Sequence, residues 1–391
     1  MRFIIYGAGG VGCTIGAELF LAGEETVLIA RGAHLQAIQD NSLRYLTPNR
    51  QETVNIPAVG HPTELDFRSD DVVILTMKSQ HTLGALEDLR AAGGENIPVI
   101  CCQNGVANED MALRRFNRVY AMAVYLPGEL LEPGEVRCHS IKKIGILDAG
   151  VYPHGIDDLI TKVAAHLEGA NIASVPTANT MAWKYAKLVI NTSNALGAAF
   201  PRETNTKALR DRLSAEAFAA FDAAGIDYKT LEDMRDRRKG LMELGEIEGV
   251  GRAGGSTFQS IANGKADIET DYLNGEIVKL GRLHGVPTPA NTTMQKLMTR
   301  MIRERIEPRS FNLEEVEELI AAVHSTSRQT PPSASTPSPA PAPTAVVEQN
   351  VQEALGVSDR AYVLDHGAIV RSAPSAELSG DPAIQSAYMG L

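Results

Sequence analysis

The sequence MRFIIYGAGGVG, residues 1–12, decides the fold of the chain. Its apolar run, FIIY, is typical of a buried strand, and three spaced glycines follow it directly. In a strand–turn–helix unit, Gly7 permits the tight turn, Gly9 lets the backbone approach a pyrophosphate, and Gly12 lets the helix pack on the strand. The positive end of that helix favours an anion. The residues predicted to bind a dinucleotide are Gly7, Ala8, Gly9, Gly10, Val11 and Gly12; the alternative is a glycine-rich turn without a ligand.

Composition and charge restrict the class of partner. A chain of 391 residues is long enough for two or three domains. Its net charge of -11 argues against nucleic acid or an anionic membrane as the main partner. No stretch is long and apolar enough to span a bilayer, and no signal peptide follows Met1. We therefore expect a cytoplasmic protein with a small-molecule ligand.

The four cysteines, Cys13, Cys101, Cys102 and Cys138, indicate a reducing compartment. They lack metal-site spacing, and two of them are adjacent, which disfavours a disulfide framework. We expect free, buried thiols and no metal site.

Arg31 follows a second predicted strand, residues 25–30 (ETVLIA). In a dinucleotide-binding fold this strand ends near the adenosine ribose. An acidic residue there binds the 2′-hydroxyl, whereas an arginine accommodates a 2′-phosphate. Arg31 therefore favours NADP(H) over NAD(H), and the alternative is a solvated loop arginine.

Two further predicted strands, residues 72–77 and 97–102, are followed by Lys78 and by Asn104. Ligands of an open α/β sheet bind at the carboxyl ends of its strands. We therefore predict that both side chains lie near the nicotinamide end of a cofactor. The alternatives are an exposed loop lysine and a simple Asn-Gly turn.

Helical periodicity dominates the chain after Thr177, which predicts a domain boundary near residue 176. A predicted helix over residues 181–200 carries Lys187, Asn191 and Asn194 at positions i, i+4 and i+7, which lie on one helix face. Because asparagine is a poor helix former, this stripe indicates a site more than a solvated surface.

The predicted organisation is an α/β Rossmann domain followed by an all-α domain, a disordered linker and a short α/β tail. A second helix of the all-α part opens near Glu269 and Asp271, and the alternative interpretation of both acids is compensation of the helix dipole. The linker is rich in proline, serine and alanine. The tail is predicted to contain a helix over 350–355 and two strands that flank His366-Gly367. The four regions are residues 1–176, 177–324, 325–345 and 346–391.

Residues 1–324 resemble the ketopantoate reductase family. The matching motifs are GAGGVG at Gly7, Arg31, Lys78, QNG at Gln103, KLVINTSNAL at Lys187, STFQS at Ser256, and ETDYLNGEIVKLGRLHGVPTPAN at Glu269. The resemblance implies an NADPH-binding Rossmann domain, a helical substrate domain and a cleft between them. It also implies the reduction of 2-dehydropantoate to pantoate, in pantothenate and coenzyme A biosynthesis. A homodimer is the assembly we consider, although no residue pattern decides it.

The resemblance also implies roles for individual residues. Lys187 matches the catalytic lysine of the family, and Glu269 matches the glutamate that accepts a hydrogen bond from the substrate hydroxyl. Lys78 and Asn104 match residues near the nicotinamide and the substrate. The residues implied to orient the substrate are Asn191, Asn194 and Ser256.

Two departures from the family pattern concern the substrate. The second asparagine stands at Asn194, while position 195 is alanine, and the spacing from Ser256 to Glu269 is longer than the family's. The alternatives are a reductase of another 2-oxo acid and an NADP(H)-binding protein without catalytic activity.

The tail resembles another family. VVEQNVQEALGVSDRAYVLDHGAIV is similar to the C-terminal end of the ATP-binding subunits of branched-chain amino-acid ABC transporters. An ATPase needs a GxxxxGK[ST] loop, and the one Gly-Lys pair, at Gly264, is followed by alanine. We therefore expect a fused fragment without nucleotide hydrolysis.

Overall fold

The computed structural model describes residues 1–251, 254–262, 264, 267–328, 355, 358–365, 368–379 and 381. Within these ranges, the side chains of residues 256, 324–328, 360, 362–365 and 368–371 lie outside the description. The chain divides into two compact units, Met1–Gln329 and Thr330–Leu391.

A twisted, mainly parallel sheet forms the centre of residues 1–176. Its seven strands in the described chain run in the order β11-β8-β7-β6-β1-β2-β5. Only β11 is antiparallel to its neighbour. The strands of this sheet are β1 (Arg2–Tyr6), β2 (Glu25–Ile29), β5 (Ala58–Val59), β6 (Asp71–Leu75), β7 (Val99–Cys101), β8 (Val119–Tyr125) and β11 (Ile146–Val151). A smaller sheet, ordered β4-β3-β10-β9, contains β3 (Leu43–Leu46), β4 (Gln51–Val54), β9 (Gly128–Glu129) and β10 (Glu135–Cys138).

The continuous apolar run of β1 is explained by burial on both faces. Phe3 and Ile5 pack into one core and Ile4 packs into another on the opposite side of the sheet. A parallel sheet covered by helices on both faces requires this pattern. The helices of this part are α1 (Gly10–Leu21), α2 (Gly32–Asn41), α3 (Thr82–Gly93), α4 (Asn108–Leu113) and α5 (Asp158–Gly169), with 3-10 turns at Pro62–Glu64 and Ser79–His81.

The rest of the first unit is helical. Its helices are α6 (Thr180–Asn191), α7 (Asn194–Ala199), α8 (Lys207–Ala224), α9 (Leu231–Arg238), α10 (Ser256–Ala262), α11 (Asn274–His284), α12 (Pro289–Glu304) and α13 (Leu313–Arg328), with a 3-10 turn at Thr270–Tyr272. The predicted α/β sheet followed by helices is thereby confirmed. The boundary near residue 176 falls between α5 and α6 and stays a prediction, since both parts lie within one compact unit.

The predicted helix over residues 181–200 is wrong, because it is two helices that part at Thr192 and Ser193. The Thr192 hydroxyl donates to the carbonyl of Val189 at 2.7 Å. The Thr192 carbonyl in turn accepts a 3.1 Å hydrogen bond from Asn274 on α11. The backbone N–H of Thr192 keeps its helical bond to Leu188, whereas that of Ser193 bonds to Ile190, three residues back, so the regular helical pattern ends there. Asn194 therefore starts a new helix, α7.

One other boundary also differs from the prediction. Helix α13 continues to Arg328, past the predicted start of the linker at Ser325. The first proline of that region is Pro331, so no residue before it removes a helical hydrogen bond.

The described part of the second unit contains an antiparallel hairpin of β12 (Arg360–Asp365) and β13 (Ala368–Pro374), followed by α14 (Ser375–Ser379). The two predicted tail strands are thereby confirmed. The predicted helix over 350–355 lies outside the described residues, apart from Leu355, as does the linker after Arg328.

The four cysteines are buried free thiols. Burial raises the pKa of Cys102 and of Cys138 to about 12. Among the described helices, none has the length and hydrophobicity needed to cross a membrane.

Candidate active site

A cleft of about 730 Å³ lies at the carboxyl edge of the sheet, where β1, β2, β6 and β7 end. This is the edge at which open α/β sheets bind ligands, and the volume suits a small-molecule site. One wall comes from residues 6–130 and the other from residues 259–269. The sequence-predicted residues that line the cleft are Gly7, Ala8, Gly9, Gly10, Val11, Arg31, Lys78, Asn104 and Glu269.

The three spaced glycines differ in what surrounds them. Gly7 has φ +108°, which favours glycine, and a Cβ there would lie 2.5 Å from the Met77 nitrogen. A Cβ on Gly12 would lie 2.3 Å from the Gly7 carbonyl oxygen and 2.5 Å from Oγ1 of Thr76. A Cβ on Gly9 would meet no atom within 4 Å, although Gly9 lines the cleft. Gly7 and Gly12 are thus required by the protein itself, whereas Gly9 leaves space for a ligand.

The N-terminus of α1 is suited to an anion. Gly9 is its N-cap and offers no capping side chain, and no acidic residue stands in the first turn. The first backbone N–H groups of a helix lack intrahelical partners and carry partial positive charge. This turn therefore fits the pyrophosphate of a dinucleotide.

Arg31 lines the cleft and is the exposed N-cap of α2. His61 and Asp88 line the cleft with it, and His61 Nε2 lies 3.5 Å from Oδ2 of Asp88. Sequence reasoning did not identify this pair, because the histidine follows the two-residue strand β5.

Lys187 on α6 reaches the carboxyl ends of two strands. Its Nζ donates to Oδ1 of Asn104 at 2.8 Å and to the carbonyl of Val124. The ammonium also lies 5.1 Å from the centre of the Tyr125 ring. Burial lowers the pKa of Lys187 to about 7. A lysine with such a pKa can release a proton near neutral pH.

Glu269 is anchored on the 3-10 turn that follows β6. Its Oε1 accepts hydrogen bonds from the backbone N–H of Ser79 at 3.0 Å and from the Ser79 hydroxyl at 3.2 Å. Burial raises the pKa of Glu269, while the Ser79 bonds oppose that shift. Dipole compensation does not account for Glu269, since its carboxylate points to another element of the fold.

Asn108, the first residue of α4, connects the two strand ends. Its side chain is fully buried and donates to Ser79 Oγ at 3.1 Å and to the Asn104 carbonyl at 3.2 Å. Its Oδ1 accepts from Thr82 at 2.8 Å. Asn108 therefore holds the segment that carries Asn104 and the Ser79 hydroxyl that binds Glu269. In the sequence, the one feature that could have indicated this role of Asn108 is its position four residues after Asn104.

Lys78 is engaged with the opposite wall of the cleft. Its Nζ donates to Ser260 Oγ at 2.9 Å and lies 3.3 Å from Oδ2 of Asp267. His81 Nε2 lies 3.1 Å from the other oxygen of Asp267. Sequence reasoning missed Ser260 and Asp267. It named Ser256, whose backbone begins α10 but whose side chain lies outside the described atoms.

The two predicted asparagines are placed differently. Asn191 is 7% exposed at the end of α6, and its Nδ2 has no hydrogen-bond partner in the described chain. Asn194 is partly buried at the start of α7. Neither belongs to the described residues that line the cleft, and Lys187 does not belong to them either; its Nζ binds Asn104 and Val124, which do. The cleft therefore brings together Asn104, Glu269 and Lys78, with Lys187 hydrogen-bonded to Asn104.

A glycine turn at the carboxyl edge of a parallel sheet, with a half-buried lysine and a half-buried carboxylate near the same edge, is typical of a dinucleotide-dependent oxidoreductase. Residues 3–149 match the family model described as ketopantoate reductase PanE/ApbA, and residues 179–302 match the model of its C-terminal part. The chain belongs to the ketopantoate reductase family, which consists of NADP-dependent oxidoreductases.

Individual relatives match this chain over almost their whole length. The 2-dehydropantoate 2-reductase of Pyrococcus abyssi is 26% identical over 318 residues, which are 76% of this chain and 97% of that protein. The Mesorhizobium japonicum enzyme of the same name is 27% identical over 337 residues, covering 78% and 99%. A crystal structure of a PanE/ApbA family ketopantoate reductase from Ralstonia eutropha is 30% identical, with a TM-score of 0.65 and coverage of 78% and 99%.

Proposed function

We propose that the chain reduces 2-dehydropantoate to pantoate with NADPH. The observation that carries the proposal is that Lys187 binds Asn104, which lines the same cleft as Glu269 and the glycine turn. The names of the relatives from Pyrococcus abyssi and Mesorhizobium japonicum support the choice of substrate.

The residues present fit NADPH. Gly9, Gly10 and Val11 would hold the pyrophosphate at the start of α1, and Arg31 would pair with the 2′-phosphate. Lys78 and Asn104 would lie toward the nicotinamide. When bound, NADPH supplies the hydride that reduces the ketone carbon.

Lys187 is the proposed acid. Its ammonium has three donors, and the described chain occupies two of them, at Asn104 and Val124. The third can point to the 2-oxo oxygen, stabilise the negative charge that develops there and deliver the proton. A positioned general acid of this kind contributes about 10²–10⁴-fold to the rate.

Three further side chains would orient the substrate. Oε1 of Glu269 is held by Ser79, so its other oxygen can accept a hydrogen bond from the substrate hydroxyl. The unpartnered Nδ2 of Asn191 is a buried donor, which costs free energy unless a ligand satisfies it. Asn194 and Ser256 remain proposed contacts on the basis of the family resemblance.

Another 2-oxo acid is the second candidate substrate. The observation that favours it is the position of Asn194, which begins α7 and does not belong to the described lining of the cleft. The proposed role of Lys187 as the acid does not depend on that residue.

We further propose that the tail, residues 346–391, is a fused fragment of the ABC-ATPase type without nucleotide hydrolysis. The four free thiols support a cytoplasmic location.

A homodimer is the proposed assembly. A protein that binds NADP(H) without turnover stays the non-enzymatic alternative, and the acid beside Asn104 argues against it.

Steady-state kinetics with NADPH and NADH test the proposal. Purified protein is assayed with 2-dehydropantoate and with a panel of linear and branched 2-oxo acids. The proposal expects the highest kcat/KM for 2-dehydropantoate with NADPH. A higher value for another 2-oxo acid selects the second candidate, and cofactor binding without oxidation of NADPH selects the non-enzymatic one.

A further inference from the structure

Lys184, one turn before Lys187, is the other lysine of α6. Its side chain is 3% exposed. Its Nζ donates to the carbonyls of Cys101 at 3.2 Å and Gln103 at 3.1 Å, and to Oε1 of Glu109. These three acceptors saturate an ammonium group. Lys184 therefore has no donor left for a ligand.

Glu109 completes a buried ion pair. It is the second residue of α4 and is fully buried. Its Oε1 bonds to Lys184, whereas Oε2 has no partner in the described chain. Removing one member of such a pair leaves an uncompensated buried charge, which is costly.

The two lysines bind neighbouring residues at the carboxyl end of β7. Lys184 binds the carbonyls of Cys101 and Gln103, and Lys187 binds the side chain of Asn104. Residues three apart on a helix lie on the same face. The position of α6 on the end of β7 is thereby fixed one turn away from the acid.

We propose that Lys184, held by Glu109, is a positioning residue that docks α6 on the end of β7 and keeps Lys187 ready to release its proton. This inference rests on the proposed role of Lys187 as the acid. Lys184 touches neither substrate nor cofactor and acts only through Lys187 and Asn104.

The charge of Lys184 gives the role a second, electrostatic component. The groups that act on Lys187 are Cys102 at the end of β7, Tyr125 on β8, Arg238 on α9, Glu269 before α11, and Lys184 on α6 itself. Lys184 and Arg238 lower the pKa of Lys187, whereas Cys102 and Glu269 raise it. Without the Lys184 charge, the pKa of Lys187 rises, and Lys187 stays protonated to higher pH.

The test compares Lys184→Met, the double variant Lys184→Met/Glu109→Gln, and Lys184→Arg. The double variant removes both buried charges, so it keeps the measurement available if the single variant is unstable. Lys207→Met is the matched control, because Lys207 is 78% exposed on α8. Two properties are measured in each protein: the pH dependence of kcat, and the pH dependence of acetylation of Lys187 located by peptide mass spectrometry.

We expect the basic limb of kcat and the labelling midpoint of Lys187 to move up by on the order of half a pH unit in Lys184→Met, and by a smaller amount in the double variant, which also removes the negative charge of Glu109. Both should stay at the wild-type position in Lys184→Arg and Lys207→Met. An unchanged Lys187 midpoint in the first two variants overturns the inference. Labelling needs no turnover, so an inactive wild-type protein counts against the proposed reaction and leaves the test of Lys184 intact.

Discussion

Nζ of Lys187 lies 2.8 Å from Oδ1 of Asn104, which stands 83 residues earlier in the chain. This hydrogen bond joins the helical part to the end of β7 in the parallel sheet. An amide oxygen cannot accept a proton at neutral pH, so it orients the ammonium without neutralising it. In the proposed mechanism, the ammonium keeps its third N–H for the carbonyl of the substrate.

Replacing Lys187 removes the proposed acid. We expect Lys187→Ala to lower kcat by about 10²–10⁴-fold and to leave the Kd of NADPH nearly unchanged. Stopped-flow turnover and fluorescence titration measure the two quantities, with Lys207→Ala as the surface control. A near-normal kcat would exclude Lys187 as the acid.

The rate should depend on pH in two limbs. Lys187 must be protonated to act, so kcat should fall as the pH rises through about 7, the value to which burial lowers the pKa of Lys187. Glu269 must be ionised to accept a hydrogen bond, and its pKa is raised by burial, so the acidic limb should lie above the ordinary range of a glutamate. Initial rates at saturating substrate from pH 4 to pH 10 check both limbs; a basic limb near the ordinary pKa of lysine contradicts the assignment.

Arg31 should discriminate between cofactors. Loss of a charge-assisted hydrogen bond to the 2′-phosphate costs about 1.5–3 kcal/mol. We therefore expect Arg31→Ala to raise the KM of NADPH by about 10- to 100-fold and to leave that of NADH nearly unchanged. Equal effects on both cofactors would show that Arg31 does not contact the phosphate.

Alanine substitutions at Gly9 and at Gly12 should affect different properties, cofactor binding in the first case and stability in the second. In Gly9→Ala the methyl group enters open space, so we expect an unchanged melting temperature and about tenfold weaker NADPH binding, a cost of about 1.4 kcal/mol. In Gly12→Ala it meets Gly7 and Thr76, and overpacking of this kind costs about 1–3 kcal/mol of stability. Thermal melts and cofactor titrations of both variants measure the two properties. A destabilised Gly9→Ala protein would contradict the conclusion that only Gly12 is required by the packing of the protein.

Asn108 should affect stability and activity together. In Asn108→Ala the buried hydroxyl of Ser79 loses a donor, and we expect a loss of about 1–3 kcal/mol in the free energy of unfolding. Because Ser79 holds Glu269, kcat/KM should fall as well. Denaturant unfolding and kinetics are compared with Asn117→Ala, whose side chain makes an exposed bond to Asn96. Unchanged kcat/KM would show that Glu269 is held without Asn108.

The glycine turn could be predicted from the sequence because its geometry is local. Gly7, Gly9 and Gly12 act within one strand–turn–helix unit, and the spacing of Lys187 and Asn191 within α6 is equally local. Positions near strand ends, such as Lys78 and Asn104, followed from the general topology of parallel sheets.

The rest of the site depends on contacts between distant residues. Ser79 and Glu269 are 190 residues apart, and Lys184 and Glu109 are 75 apart. The break before Asn194 requires Asn274, which is 82 residues from Thr192. Helical periodicity contains no information about such partners, so the prediction of a continuous helix over residues 181–200 failed at this point.

The two walls of the cleft come from opposite ends of the folded unit, and this sets an order during synthesis. The glycine turn at Gly7–Gly12 and the strands next to it leave the ribosome first, Lys187 follows, and Glu269 emerges last. A nascent chain that has formed only the sheet therefore carries the glycine turn without the proposed acid and without the carboxylate. In the proposed mechanism, reduction has to wait until the helical part has been synthesised and packed against the sheet.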